Sequence, residues 1–151
     1  MESTKKKLAI VTGAARGIGL ATAKLFSQND YKVAIVDRDK NELSNLSLAN
    51  NLMKSFCYDI SDFNNIDMMY QEILEWHDRV DVLVNNAGVA DFASIEMTDF
   101  NRWNEVMKTN LDGAFLCSQK VISYLKNTKG SIINIASISG LRASTLRVAY
   151  G

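Results

Sequence analysis

The segment Thr12-Gly13-Ala14-Ala15-Arg16-Gly17-Ile18-Gly19 constrains the fold of this 151-residue sequence more than any other. It follows an apolar run at positions 8–11, which is typical of a buried parallel strand. The helical pattern after it has one apolar side, made of Ile18, Ala21, Leu25 and Phe26. The first N–H groups of a helix lack partners within the helix, and the helix dipole favours negative charge there. A strand, a glycine-rich turn and a helix start therefore predict a site for an anionic group.

The three glycines of this turn have separate predicted roles. Gly13 makes a tight turn, Gly17 lets the backbone approach a pyrophosphate, and Gly19 lets the helix pack closely on the strand. The spacing differs from the Gly-x-Gly-x-x-Gly pattern, because Thr22 stands where that pattern has its third glycine. The turn alone is a weak signal, since any loop that needs left-handed dihedral angles favours glycine.

An acidic residue at the end of the next strand strengthens the interpretation. The second apolar run, 33–36, ends in Asp37, which lies 37 − 19 = 18 residues after the last glycine of the turn. A ribose-binding acid is expected about 20 residues after such a turn. This strand–helix–strand unit therefore predicts a dinucleotide site.

Strand and helix patterns alternate along the chain, which favours a parallel sheet covered by helices on both faces. The five predicted strands cover residues 8–11, 33–36, 55–58, 80–84 and 131–136. We expect an α/β fold with a doubly wound parallel sheet of the Rossmann type, which has about six strands in the order 3-2-1-4-5-6. The five strands here would take the order 3-2-1-4-5. The length fits one domain, so residues 1–151 are expected to form a single dinucleotide-binding domain.

The helical patterns give expectations for the packing faces. A short helix is predicted over 40–50, and another follows Ser61 or Asp62. The apolar stripe of the latter, interpreted as core, is Ile66, Met69, Tyr70, Ile73 and Leu74. A helix starting at Thr98 or Asp99 carries Phe100, Trp103, Val106 and Met107. A long helix from Asn110 to an exit turn at Gly130 carries Leu111, Ala114, Phe115, Ser118, Val121, Ile122 and Leu125.

Charge and composition exclude several functional classes. The net charge is zero, so neither nucleic acid nor an anionic membrane surface is an expected partner. No apolar run has the length needed to span a bilayer. Cys57 and Cys117 lie within apolar patterns and are interpreted as buried free thiols in a reducing compartment, which favours a cytoplasmic location. With His77 as the one histidine, no metal site is expected.

Glycine or polar residues follow the carboxyl end of every predicted strand. They are the turn that begins at Gly13, and then Asp37, Asp59, Asn86 and Ser137. In an open parallel sheet these ends meet at one crevice, where ligands bind. The sequence therefore predicts one site built from five strand ends.

Together these motifs resemble the short-chain dehydrogenase/reductase family, from about residue 8 to the last residue. The residues that carry the resemblance are Thr12-Gly13-x-x-x-Gly17-x-Gly19, Asp59-Ile60, Asn85-Asn86-Ala87-Gly88, Asn110, Ser137 and Tyr150. The resemblance implies an oxidoreductase that moves a hydride between NAD(P) and a small alcohol or ketone. It also implies a homo-oligomer at full length.

The resemblance assigns cofactor-binding roles to Gly13, Arg16, Gly17, Ile18, Gly19, Asp37, Arg38, Asp59, Ile60, Asn86, Ala87 and Gly88. Asp59 would hydrogen-bond the adenine amine, and the backbone of Ile60 would line the adenine pocket. Asn86 and Gly88 would lie beside the ribose. Capping of a strand end is the alternative role for Asn85 and Asn86, and it stays open for one of the two.

The choice between NAD and NADP depends on three charged residues. Asp37 would bind the adenosine ribose hydroxyls and repel a 2′-phosphate. Arg16 and Arg38 argue the other way, because guanidinium groups suit phosphates. We favour NAD, because the acid occupies the position that decides the matter.

For the reaction itself, the resemblance implies that Tyr150 exchanges a proton with the substrate oxygen as the general acid/base. Ser137 would hydrogen-bond the same oxygen, and Asn110 would hold a water in a proton relay. The separation of 150 − 137 = 13 residues lets a strand end and a following helix start face each other. Each residue alone has a plain structural interpretation, a turn serine or a packing tyrosine, and the catalytic one is favoured by their combination.

The sequence departs from the family pattern after Tyr150. The family motif is Tyr-x-x-x-Lys, and one residue follows the tyrosine here. A free phenol forms a phenolate at pH 7 at a cost of about 4 kcal/mol, which a neighbouring ammonium group lowers. We therefore expect a partial sequence of a longer enzyme, insoluble or inactive when expressed alone.

Two other interpretations of the motifs are open. A dinucleotide-binding module without turnover, acting as a sensor or partner subunit, would have no use for Asn110, Ser137 and Tyr150 together. A flavodoxin-like fold would leave Asp37 and Asn86 without a role. The oxidoreductase interpretation is therefore preferred, and the binding module is the alternative.

Overall fold

A computed structural model describes residues 5–48, 51–142 and 144–150 of the chain. It contains one parallel sheet in the order β3-β2-β1-β4-β5, which confirms the predicted fold and strand order. The strands are β1 (Leu8–Thr12), β2 (Lys32–Asp37), β3 (Met53–Cys57), β4 (Val82–Asn85) and β5 (Ser131–Asn134).

Five α-helices connect the strands. They are α1 (Gly17–Gln28), α2 (Lys40–Ser44), α3 (Ile66–Trp76), α4 (Phe100–Met107) and α5 (Ala114–Thr128). A π-helical segment, Lys108–Gly113, joins α4 directly to α5. Short 3₁₀ turns lie at Phe63–Asn65, Ile95–Met97 and Ile138–Gly140. In the part of the chain that the structure describes, none of these helices has the length and apolarity to cross a bilayer.

Two hydrophobic cores lie on opposite faces of the sheet. Along β1, Leu8 and Ile10 face the core that α3 and α5 complete, whereas Ala9 and Val11 face the core beneath α1. Side chains alternate between the two faces of a strand, so a strand covered on both sides is apolar throughout. All five residues of β1 are buried, as the apolar run at 8–11 predicted.

The apolar side of α1 described above does not lie on the core as a whole. Ile18 is 66% exposed and Leu25 61% exposed, and Ala21 is exposed as well. The buried positions are instead Gly19, Ala23 and Ser27. These small residues, spaced four apart, form the buried side of the helix, whereas Ile18 and Leu25 point outwards. Phe26 is partly buried and packs against the core beneath α1.

Sequence reasoning succeeded for α3 and failed in part for α5. In α3 the buried residues Ile66, Met69, Tyr70 and Ile73 belong to the predicted stripe. In α5 the buried residues are Cys117, Val121 and Leu125. The predicted α5 face was wrong for Leu111, Phe115 and Ile122, which are exposed. Phe115 and Ile122 belong to the same regular helix as the buried residues, whose stripe, spaced four apart, is narrower than the predicted apolar side.

The prediction that both cysteines are buried is also wrong. Both are free thiols, but only Cys117 is buried, and Cys57 is exposed. Cys57 is the last residue of β3, an edge strand, whose preceding residue Phe56 points into the core. Alternation along the strand turns Cys57 towards the thinly covered face beside α2.

Adjacent methionines in α3 test the packing. Met69 is fully buried, whereas Met68 is 54% exposed. Met69→Ala should lower the free energy of unfolding by about 2–5 kcal/mol, because it leaves a cavity in the core. Met68→Ala should change it by no more than about 0.5 kcal/mol. Urea unfolding of the two variants measures the difference, and equal losses would contradict the assigned face of α3.

The two thiols should react at very different rates. Burial raises the pKa of Cys117 to about 11, so its thiolate is scarce at pH 8 as well as inaccessible. We expect a thiol reagent to label one cysteine quickly in the native protein and the second only in denaturant. Mass mapping should place the fast label on Cys57, and Cys57→Ser should abolish it. Fast labelling of Cys117 would contradict the described packing of α5.

Candidate functional site

Hydrogen bonds between the ends of β1 and β4 form the base of the site. The buried Thr12 hydroxyl accepts from the backbone N–H groups of Asn86, at 3.1 Å, and Ala87, at 3.0 Å. The Asn86 side-chain amide donates to the carbonyl oxygens of Thr12 and Gly13, both at 2.9 Å. The loop after β4 is therefore fixed to the glycine-rich turn by four hydrogen bonds.

The glycine-rich turn has the tight bend predicted at Gly13, but the prediction that Gly19 packs on a strand is wrong. Gly13 has φ +61°, and a Cβ there would lie 2.7 Å from the Ala87 Cα. Gly17 has φ +56°, and a Cβ there would meet no heavy atom within 4 Å, so its backbone borders open space. A Cβ at Gly19 would collide with the Gly13 carbonyl and the Asn86 amide. The tight approach at Gly19 is thus to the loop and Asn86, and not to a strand.

The start of α1 is open to a ligand. Its N-cap, Arg16, makes no side-chain capping bond, and the first turn contains no acidic residue. The first N–H groups of the helix therefore keep their capacity to bind an anion. The open side of Gly17 gives such a group room to approach the backbone.

A cavity of about 190 Å³ lies beside this turn, and we call it the charged cavity. Its lining residues are Gly13, Arg16, Val36, Asp37, Arg38, Tyr58, Asp59, Ile60, Asn86, Ala87, Gly88, Val89 and Thr109. It brings together all the predicted cofactor-binding residues other than Gly17, Ile18 and Gly19. Val36, Tyr58, Val89 and Thr109 were not singled out by the sequence.

The charged cavity contains two carboxylates, Asp37 and Asp59, which are held by different hydrogen-bond partners. Asp37 accepts hydrogen bonds from the backbone N–H groups of Ala15 and Asp39, each at 3.0 Å. Its carboxylate therefore links the end of β2 to the glycine-rich turn, at the place where a ribose-binding acid was predicted.

Asp59 is held by a hydroxyl, a backbone N–H and a cation. Its Oδ1 accepts from the Ser61 N–H at 2.9 Å and from the Ser61 hydroxyl at 2.7 Å. Its Oδ2 lies 3.3 Å from Nη1 of Arg38. Burial by itself raises the pKa of Asp59, but the bonds from Ser61 and the Arg38 guanidinium outweigh it and hold the pKa below its usual value.

A second cavity, of about 780 Å³, lies on the other side of the loop after β4, and we call it the large cavity. Its lining residues are Ile18, Asn85, Asn86, Ala87, Gly88, Val89, Ala90, Asn110, Leu111, Ala114, Phe115, Ser118, Asn134, Ile135, Ala136, Ser137 and Tyr150. All three predicted catalytic residues are among them. The segment 86–89 lines both cavities and separates them.

Asn110 lies in the π-helical segment and fixes this dividing segment. Its Nδ2 donates to the Val89 carbonyl at 2.9 Å, and its Oδ1 accepts from the Val89 N–H at 2.8 Å. Through these two bonds, the Asn110 side chain holds the backbone of Val89 in the wall of the large cavity. A π-helical turn in a long helix is frequently found at a functional site.

Ser137 and Tyr150 line the large cavity from the segment after β5. The Ser137 hydroxyl accepts from the Ser139 N–H at 3.2 Å and caps the 3₁₀ turn. The Arg147 guanidinium lies 5.5 Å from the centre of the Tyr150 ring and 4.8 Å from that of Phe92. Arg147 was not predicted, although a cation three residues before the tyrosine was visible in the sequence.

Asn85 has a different role from Asn86. Its Nδ2 donates to the Ser118 hydroxyl at 3.0 Å and to Oδ1 of Asn134 at 2.8 Å, so it links β4 to α5 and β5. Both asparagines thus make structural bonds at a strand end. Asn86 additionally borders both cavities.

The sheet order and the crevice at the strand ends define a Rossmann-type α/β protein. Comparison with known proteins narrows this class. Residues 7–151 match the family described as short chain dehydrogenase. The chain belongs to this family.

Individual relatives are consistent with membership of this family. An uncharacterized oxidoreductase of Staphylococcus epidermidis is 34% identical over 155 residues, covering 100% of this chain and 66% of the relative. The meso-2,3-butanediol dehydrogenase of Serratia marcescens is 35% identical, covering 89% of this chain and 55% of the relative. The structure of a 3-ketoacyl-(acyl-carrier-protein) reductase from Brucella melitensis complexed with NADH has a TM-score of 0.90 and 29% identity, covering 97% of this chain and 63% of that one. The chain therefore spans between about half and two thirds of the length of these relatives.

The Thr12 hydroxyl provides a test of the site's base. Thr12→Val leaves the N–H groups of Asn86 and Ala87 without their acceptor, and because both bonds are partly buried we expect a total cost of about 1–3 kcal/mol. We expect a large loss of stability in urea unfolding and weaker binding of ADP-ribose by calorimetry. Thr12→Ser keeps the hydroxyl and should lose much less of both. Equal behaviour of Val and Ser would show that the hydroxyl does not hold the loop.

Proposed function

We propose that the protein binds a nicotinamide dinucleotide across the two cavities and transfers a hydride between it and an alcohol or ketone. One observation carries the proposal. The charged cavity and the large cavity border the same segment, 86–89, so an extended ligand that follows this segment along the crevice would contact both Asp37 and Tyr150. Dinucleotides bind in this way across the crevice of a doubly wound sheet.

The residues of this chain fit such a ligand. The open backbone of Gly17 and the uncapped start of α1 suit the diphosphate. Asp37 suits the adenosine ribose, and the Asp59–Ile60 corner of the charged cavity suits adenine. When bound, the nicotinamide supplies or accepts the hydride. The complex of the Brucella relative with NADH supports this class of ligand.

NAD is the proposed cofactor in preference to NADP. Asp37 is fixed at the end of β2 by the Ala15 and Asp39 N–H groups, so its charge would stand against a 2′-phosphate. Arg38 is already paired with Asp59.

The proton chemistry is assigned to the large cavity. Tyr150 gives a proton to the carbonyl oxygen during reduction, or takes one from the alcohol during oxidation. Ser137 orients the same oxygen by a hydrogen bond. Asn110 keeps its predicted place in a proton relay; since its side chain is bonded to Val89, a water there would be held by the Asn110 backbone.

The test compares binding with turnover. In the full-length protein, NADH binding is measured by fluorescence, and NADH oxidation is followed with a panel of ketones that includes a small vicinal hydroxyketone and a 3-ketoacyl thioester. Tyr150→Phe should lower kcat by about 10²–10⁴-fold, the usual size of a general acid contribution, and leave the Kd for NADH nearly unchanged. Tyr124→Phe, on the surface of α5, is the matched control and should retain full turnover.

Each outcome has a meaning. If wild-type protein does not bind NADH, the proposal is wrong altogether. If it binds NADH but reduces nothing in the panel, the hydride-transfer role fails and the binding-module alternative is favoured. Retained turnover in Tyr150→Phe would remove Tyr150 from the reaction.

A further inference from the structure

We infer that Asp59 is a determinant of cofactor selectivity, because its ion pair with Arg38 keeps that guanidinium from a 2′-phosphate. The inference rests on the proposed dinucleotide site and adds a role for Asp59 beyond contact with adenine. In the proposed NAD-binding site, two adjacent residues of opposite charge, Asp37 and Arg38, lie at the carboxyl end of the same strand, β2.

Asp37 and Arg38, at the end of β2, would act on a 2′-phosphate in opposite ways. Asp37 and Arg38 both line the charged cavity. A carboxylate there binds ribose hydroxyls, whereas an arginine nearby accommodates a 2′-phosphate. A site with both groups free would attract and repel the same phosphate, so its selectivity depends on which group is engaged elsewhere.

Arg38 is the residue that forms an ion pair. Its Nη1 lies 3.3 Å from Oδ2 of Asp59, at the end of the neighbouring strand β3. Ser61 fixes the other oxygen of Asp59 through its N–H and its hydroxyl, so the carboxylate that holds Arg38 is itself held. Asp37, in contrast, binds only backbone N–H groups and makes no ion pair among the described residues.

The expected change in 2′-phosphate binding depends on how exposed the Arg38–Asp59 ion pair is. The Arg38 side chain is 57% exposed, so the pair with Asp59 is partly solvated. Such pairs are modest, and releasing Arg38 should therefore improve binding of a 2′-phosphate by about two- to fivefold. Asp59 tunes a preference that Asp37 already establishes.

Calorimetry with two probes tests this without any turnover. ADP-ribose and its 2′-phosphorylated form share the adenine, the diphosphate and both riboses, so the ratio of their Kd values isolates the phosphate. Asp59→Asn should shift the ratio towards the phosphorylated probe by about two- to fivefold. A general loss of adenine contact would weaken both probes alike and leave the ratio unchanged.

A double-mutant cycle separates release of Arg38 from simple removal of a negative charge. In Arg38→Met the further change Asp59→Asn should leave the ratio unchanged, because no guanidinium remains to be released. Asp39→Asn is the matched charge control. Asp39 lies beside Arg38 in sequence and caps α2, and it forms no ion pair in the described part of the chain.

The outcomes distinguish the inference from the function on which it rests. An unchanged ratio in Asp59→Asn, an equal shift in the Arg38→Met background, or an equal shift in Asp39→Asn overturns the inference and leaves dinucleotide binding intact. Failure of wild-type protein to bind ADP-ribose at all overturns the proposed site and this inference together.

Discussion

The site depends on the hydrogen bonds that join the end of β1 to the loop after β4. Thr12 is fully buried, and its hydroxyl accepts two backbone N–H groups, while Asn86 returns two bonds to the backbone of Thr12 and Gly13. Buried backbone groups are costly when left unpaired, so these bonds determine where the loop lies. The glycine at position 13 is needed because the Ala87 backbone occupies the place of a side chain.

The same segment is supported from its other end. Asn110 binds both the N–H and the carbonyl of Val89, and the π-helical segment presents it there. The backbone between Asn86 and Val89 is therefore held at both ends by side chains from distant parts of the chain. This explains how a short loop can act as a rigid wall between two cavities, and rigid supports of this kind favour precise binding.

The sequence allowed the sheet to be predicted, because buried parallel strands are continuous apolar runs and the acids and amides after them mark the strand ends. It failed where the outcome depends on how an element is rotated or how close it approaches. The buried side of α1 is formed by Gly19, Ala23 and Ser27 and not by Ile18 and Leu25, because close packing favours small residues. A periodic pattern also contains no sign of the π-helical segment that precedes α5. The candidate site residues were proposed from motifs, but the bonds of Asn110 to Val89 and of Asp59 to Arg38 join positions 21 residues apart, and only the fold reveals them.

The two asparagines after β4 show how structural and binding roles divide. Asn85 points to β5 and α5 and links the sheet to the helix packed on it, whereas Asn86 points to the glycine-rich turn. Successive residues of a strand face opposite ways, so adjacent identical residues serve different neighbours. Substitution of either asparagine would change both packing and site geometry. Loss of binding in such a variant is therefore no evidence of direct contact with a ligand, although both residues line the large cavity.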